Sequence, residues 1–195
     1  MESDIYGGGP ARGGMEIEMP DVNSIVVVYD SHQATEAGVR ELQKGGFDMA
    51  KLSIVGKEYY TEEHIVGYYN SGDSMKYWGQ MGAFWGGLCG LLSGTAFFVL
   101  PGMGPMLIAG PLAAGVAGSL AEQQSDDLSV LGLCLHSLGV PKTSILRYEW
   151  SLRKDKVLLV AQGAAKDLMK ARDALRQTQP DELNVHFAEK TFVAA

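Results

Sequence analysis

Apolar and polar positions alternate between short blocks at both ends of the chain and one long apolar block in the middle. Ser24-Ile-Val-Val-Val-Tyr29 is a continuous β-branched run, the pattern of a strand covered on both faces. Asp30 or Ser31 is placed to cap a helix carrying Ala34, Ala37, Gly38 and Leu42 on one side, and Gly45-Gly46 closes it. Lys51-Leu-Ser-Ile-Val-Gly56 reads as a second strand. Past the middle block, Leu128 to Leu138 reads as an apolar helix ended by Gly139-Val-Pro141. Leu146, Tyr148, Trp150 and Leu152 then alternate with Arg147, Glu149, Ser151 and Arg153, which predicts a half-buried strand with Trp150 facing inward. Lys154-Asp155 turns into Val157-Leu-Leu-Val-Ala161, a fully buried strand. A helix with Ala164, Leu168, Ala171 and Leu175 inward follows, and after Pro180 comes a short strand from Leu183 to Phe187.

The middle block runs from Tyr77 to Ala121, 45 residues without Asp, Glu, Lys, Arg or His. Gly82, Gly86, Gly90 and Gly94 recur every fourth residue, and a second small-residue row follows at Gly110, Ala114 and Gly118. On helices, such rows let another backbone approach closely. Between them, Leu100-Pro-Gly-Met-Gly-Pro105 stops one helix and permits a reversal, so the block predicts a glycine-faced helical hairpin. Its first arm, Trp78 to Leu100, would reach roughly 35 Å as helix, and the second, Pro105 to Ala121, roughly 25 Å, against a bilayer core of about 30 Å. Pro111 should start a new helix or kink the old one. Tyr77, Trp78, Trp85, Phe97, Phe98, Leu100, Met106 and Leu107 are the candidate contacts to lipid or to neighbouring subunits, and a buried helix pair in an ordinary core is the plainer account.

These elements divide the chain into a tail (1–23), the first half of an α/β domain (24–57), a Tyr-rich connector (58–76), the hairpin (77–121), a helix with the second half of the domain (122–188), and a C-terminal tail (189–195). With the insertion and the first strand of the late pair set aside, the order is βαββαβ. The expected fold is therefore α/β (α+β): a ferredoxin-like sandwich with the helical hairpin projecting from its middle connection.

Composition narrows the function classes. With 46% hydrophobic residues the chain can bury a sizeable core, and its formal charge of −7 argues against nucleic acid and supplies no polybasic patch for anionic lipid. Cys89 and Cys134 lie far apart in apolar surroundings, which suits neither a disulfide framework nor a metal knuckle. Glu58, Glu62, Glu63 and His64 lack the spacing of a carboxylate metal site, and a solvated acidic face accounts for them. His136 among leucines reads as packed or hydrogen-bonded. The acidic start with no apolar core gives no secretory signal. No nucleophile elbow, phosphate-binding loop or dinucleotide fingerprint occurs, so no catalytic, cofactor or metal residue is assigned and no small molecule is identified.

Val26-Val-Val-Tyr-Asp30 with the helix after it, Gly46-Phe-Asp48 and Leu52-Ser-Ile-Val-Gly56 resemble the general stress protein 17M-like domain of bacteria. His64-Ile-Val-Gly-Tyr-Tyr-Asn70, Met75-Lys-Tyr-Trp-Gly79, Gly82-Ala-Phe-Trp-Gly86 and Pro101-Gly-Met-Gly-Pro105 resemble a longer subgroup with a hydrophobic glycine-rich middle. The resemblance covers roughly residues 24 to 177 and implies a stress-associated or membrane protein without catalytic residues to carry over. Two functions follow as expectations. One is a stress protein attached to the bacterial inner membrane through its hairpin, with the α/β domain cytoplasmic. The other is a cytoplasmic homo-oligomer whose hairpins bury each other. A ligand-sensing module is a third, by fold analogy alone.

Overall fold

The computed structural model describes residues 23–57, 84, 87–88, 91–92, 94–122 and 128–187. Through them run β1 (Asn23–Tyr29), α1 (His32–Lys44), a 3-10 turn (Met49–Lys51), β2 (Leu52–Lys57), β3 (Thr95–Leu100) and β4 (Gly104–Ala109). Next come α2 (Pro111–Glu122), α3 (Val130–Ser137), α4 (Lys142–Arg153), β5 (Val157–Gly163), α5 (Ala165–Arg176) and β6 (Glu182–His186). The protein is a mixed α/β structure around one six-stranded sheet, in the order β3-β4-β2-β5-β1-β6. Every neighbouring pair is antiparallel.

Side chains alternate across a strand, so each strand feeds two cores. On one face Ile25, Val27, Tyr29, Leu52, Ile54 and Leu159 meet Val39 and Leu42 of α1 and Leu168, Ala171 and Leu175 of α5. Ser31 caps α1 by accepting from the Ala34 amide at 3.3 Å. A Cβ at Gly38 would overlap the Tyr29 hydroxyl, so glycine is what lets α1 lie across that ring. Tyr29 is held from its far end by Thr178 Oγ1 at 2.7 Å. Leu88 and Leu92 are buried against the same core, joined by a bond from the Leu92 amide to the Leu88 carbonyl.

The opposite face carries Val26, Val28, Val55, Leu158, Val160, Met106 and Ile108 beneath α2, α3 and α4. Those helices contribute Leu112, Ala113 and Val116, then Leu131, Cys134 and Leu135, then Ile145, Tyr148 and Leu152. The sheet is thus the middle of three layers. Fully burying a Leu, Ile or Met side chain stabilises by about 1.5–3 kcal/mol, which is why the apolar residues of the middle block are drawn here.

Several elements are where the sequence pattern puts them: β1, α1, β2, α3, β5, α5 and β6. Two are not. Residues 142–153 form helix α4, not a strand, and Trp150 is 57% exposed. The buried positions Ile145, Tyr148, Glu149 and Leu152 follow the helical spacing of three and four, and the apparent alternation arises because Leu146 and Trp150 are apolar residues on the solvent side. Glu149, expected outward, is buried, and Ser129 Oγ donates to its Oε1 at 2.5 Å.

The second difference lies at the tip of the middle block. Phe97 to Leu100 and Met106 to Ile108 are not helical; they lie in β3 and β4, paired Phe97 to Leu107 and Leu100 to Gly104. Gly94, Gly102, Gly104 and Gly110 all have positive φ, which favours glycine, and they bracket two six-residue strands of high β propensity. This part of the block does not project, because β4 pairs with β2 and so extends the sheet. Pro111 begins α2, where its missing amide proton costs nothing.

Replacing Leu152, fully buried, by Ala should lower stability by about 2–5 kcal/mol, whereas Trp150→Ala should cost under about 1 kcal/mol. Denaturant unfolding of the two variants checks this facing, and equal losses would contradict it.

Candidate functional site

The middle block builds one edge of the sheet of the described residues. Among the described residues β3 has one ladder neighbour, β4. Its sequence, Thr-Ala-Phe-Phe-Val-Leu, has no charge, and Phe97 and Val99 are 63% and 80% exposed on the side that α1 and α5 cover farther along the sheet. Phe98 and Leu100 point the other way; Leu100 and Met106 are buried in the protein's own core, with Phe98 packed against it. Leu107, opposite Phe97, is half-buried. The predicted contact set is therefore split by strand alternation: Phe97 is offered to solvent, while Leu100 and Met106 are spent inside. Val99, the most exposed of the large apolar residues here, was missed, although its two-residue spacing from Phe97 was the available signal.

The small-residue rows separate in the same way. Gly94 heads β3 and Gly110 forms the corner between β4 and α2, so neither belongs to a helical row. A Cβ at Gly110 would collide with the Leu52 carbonyl and the Ser53 backbone. Ala114 and Gly118 lie on the exposed side of α2, and Gly118 has open space where a Cβ would be. Tyr77, Trp78, Gly82, Trp85, Gly86 and Gly90 lie outside the described residues, as do Cys89, the group Glu58, Glu62, Glu63 and His64, the tail 1–22 and residues 189–195. No helix of the described residues is long and apolar enough to cross a membrane.

A polar knot closes the opposite edge. Asn184 and His186, on alternate positions of β6, face α4, where Asn184 Nδ2 donates to Tyr148 Oη at 3.1 Å. The same hydroxyl stands 2.8 Å from His186 Nε2, where a neutral imidazole can accept its proton. Burial, then the Arg147 charge, lowers the His186 pKa below its ordinary 6.5. Burial chiefly raises that of Tyr148, helped by Glu182 and opposed by Asn184 and Arg147. Glu182 Oε2 is buried without a hydrogen-bond partner among the described residues.

The other chemistry-bearing groups are dispersed. Cys134 is buried, with Ser119 Oγ 3.4 Å from its sulfur, and burial raises its pKa, which disfavours the thiolate. His136 Nδ1 sits 3.1 Å from the Val140 carbonyl. A shallow cleft of about 200 Å³ between α1 and α5 is lined by Phe47, Asp48, Lys51, Gln162, Asp167 and Lys170, charges that balance rather than converge. Among the described residues no three His, Cys, Asp or Glu side chains are grouped as metal ligands. No family model, no curated protein and no solved structure matches this chain.

Because His186 binds its proton less readily folded than unfolded, its contribution is complete above about pH 6.5 and is lost as pH falls through the lowered value. His32, also lowered by burial, acts in the same direction. Urea midpoints should therefore fall between about pH 7.5 and about pH 5.5, and fall less in His186→Gln. An identical pH dependence in the two proteins would show that the knot does not titrate with unfolding.

Proposed function

We propose that this chain is a non-enzymatic, stress-associated bacterial protein that acts by self-assembly, a second copy pairing with the free edge of β3. The reading combines a body of ferredoxin-like type with an inserted segment devoted partly to the core and partly to contact. The order β2-β5-β1-β6, all antiparallel, with α1 and α5 on one face, supports that body. The resemblance to general stress protein 17M-like domains supports the stress association.

One observation carries the proposal: an uncharged edge strand with Phe97 and Val99 exposed. Unpaired ladder groups beside exposed aromatic and β-branched residues invite another strand, and edges that must stay single are usually blunted by a charge or a bulge. Nothing in Thr95–Leu100 does so. Around a two-fold axis, antiparallel pairing sets Phe97 opposite Phe97 or Val99 of the second copy, and such cross-strand pairs contribute roughly 0.2–1 kcal/mol each. Self-contact also places an uncharged strand of a chain of net charge −7 at the junction. On this reading the α/β body works in the cytoplasm.

Analytical ultracentrifugation tests it. The parent should sediment as a closed oligomer at micromolar concentration, and Phe97→Lys or Val99→Lys should shift it to monomer with unchanged circular dichroism. A monomeric parent, or lysine variants that assemble like the parent, would overturn the assignment.

A further inference from the structure

The outer face of α4 gathers cations and large apolar side chains. Lys142, Leu146, Trp150 and Lys154 succeed one another at four-residue intervals, which on a helix forms one stripe, and Arg147 and Arg153 flank it. All six are exposed, Leu146 at 60% and Trp150 at 57%. Lys154 Nζ stands 5.0 Å from the centre of the Trp150 ring, a cation against its face. The one carboxylate of the helix, Glu149, is turned inward to Ser129. Farther along, Asp155 bonds Lys57 and Asp181 bonds Lys156. Four cations and two large apolar side chains thus share one convex strip on a protein whose net charge is −7.

The sequence pattern conceals this concentration, because it makes Trp150 a core residue, Arg147 and Arg153 the solvated side of a strand and Lys154 part of a turn. The core does not use the stripe: Ile145, Tyr148 and Leu152 already occupy the inner face of the helix. Stability therefore gives no reason for a tryptophan and a leucine in water here. A surface that is negative and has an apolar interior just beneath it does.

We propose that α4 docks this protein peripherally on an anionic lipid surface, with Trp150 and Leu146 entering the headgroup layer and Arg147, Arg153 and Lys154 lying among the phosphates. Charge complementarity favours this occupant, and so does shape. An acidic peptide held by arginines is usually also seated in a groove or along a sheet edge, whereas the strip is convex and the cleft lined by Phe47 and Lys170 lies elsewhere, between α1 and α5. A bilayer surface needs only a convex array of basic and aromatic residues, and tryptophan is suited to the interface between headgroup and chain. The attachment is independent of β3 pairing, since α4 covers the face of the sheet opposite to that of Phe97 and Val99.

Vesicle sedimentation with the full-length protein tests the proposal, using phosphatidylcholine vesicles with or without phosphatidylglycerol. The parent should bind only the anionic vesicles, lose binding as salt is raised, and shift its tryptophan emission to the blue. Lys154→Glu should weaken binding by about fivefold or more, and Trp150→Ala should weaken it with thermal stability retained. The Phe97→Lys variant should still bind, which separates this site from the assembly edge. No binding to anionic vesicles, equal binding to neutral ones, binding indifferent to both α4 variants, or binding to soluble polyglutamate with none to vesicles would each overturn it.

Discussion

The β2–β4 ladder is the seam on which the rest of this structure depends. It pairs Ile54 with Ala109, Val55 with Ile108, Gly56 with Leu107 and Lys57 with Met106, and so joins the apolar middle of the chain to the α/β body. The seam is possible because of its corner. At Gly110 the chain leaves β4 so close to β2 that any side chain would strike the Leu52 carbonyl, and its φ of +93° suits glycine. Two residues beyond, the Leu112 amide donates to Ser53 Oγ at 3.1 Å, which satisfies a donor in the first turn of α2 and sets that helix across the sheet.

From that corner the second face of the sheet is covered. α2 places Leu112 and Val116 over Val55 and Ile108, α3 and α4 extend the layer over Val26, Val28 and Val160, and the Tyr148 knot ends it at β6. A three-layer arrangement absorbs much of the uncharged block without a membrane or a partner. Two features that it leaves exposed are informative: the β3 edge, with Phe97 and Val99, and the α4 stripe, with Leu146 and Trp150. The two point away from opposite sides of one sheet, so the proposed assembly and the proposed surface attachment do not obstruct each other.

Elements with one dominant period were legible from the sequence. The run Ile25–Val28 and the helix bearing Gly38 and Leu42 are set by local pattern, and so is the α5 row Leu168, Ala171 and Leu175. Helix α4 was not legible, because Leu146 and Trp150 put apolar residues on its solvent side and completed a false alternation. A stripe reading, Lys142 to Leu146 to Trp150 to Lys154, would have exposed both the helix and its surface. The β3–β4 tip failed for a different reason. Glycines at four-residue spacing suit a helix interface, yet Gly94 and Gly110 serve corners, and the choice between those roles depends on the β2 edge, which lies far off in sequence. Within the site, Leu100 and Phe97 looked alike in composition, and only the pleat of a paired strand separates the buried one from the exposed one.

Native-state amide hydrogen exchange measures the central claim, that the apolar middle of the chain completes the sheet rather than standing apart from it. Exchange free energies for the amides linking β4 to β2 should match those of β1 and β5 and fall with them as denaturant is added, because a shared core opens as one unit. Fast exchange across Met106 to Ala109 while β1 and β5 stay protected, or protection of that segment only when lipid is supplied, would contradict the account.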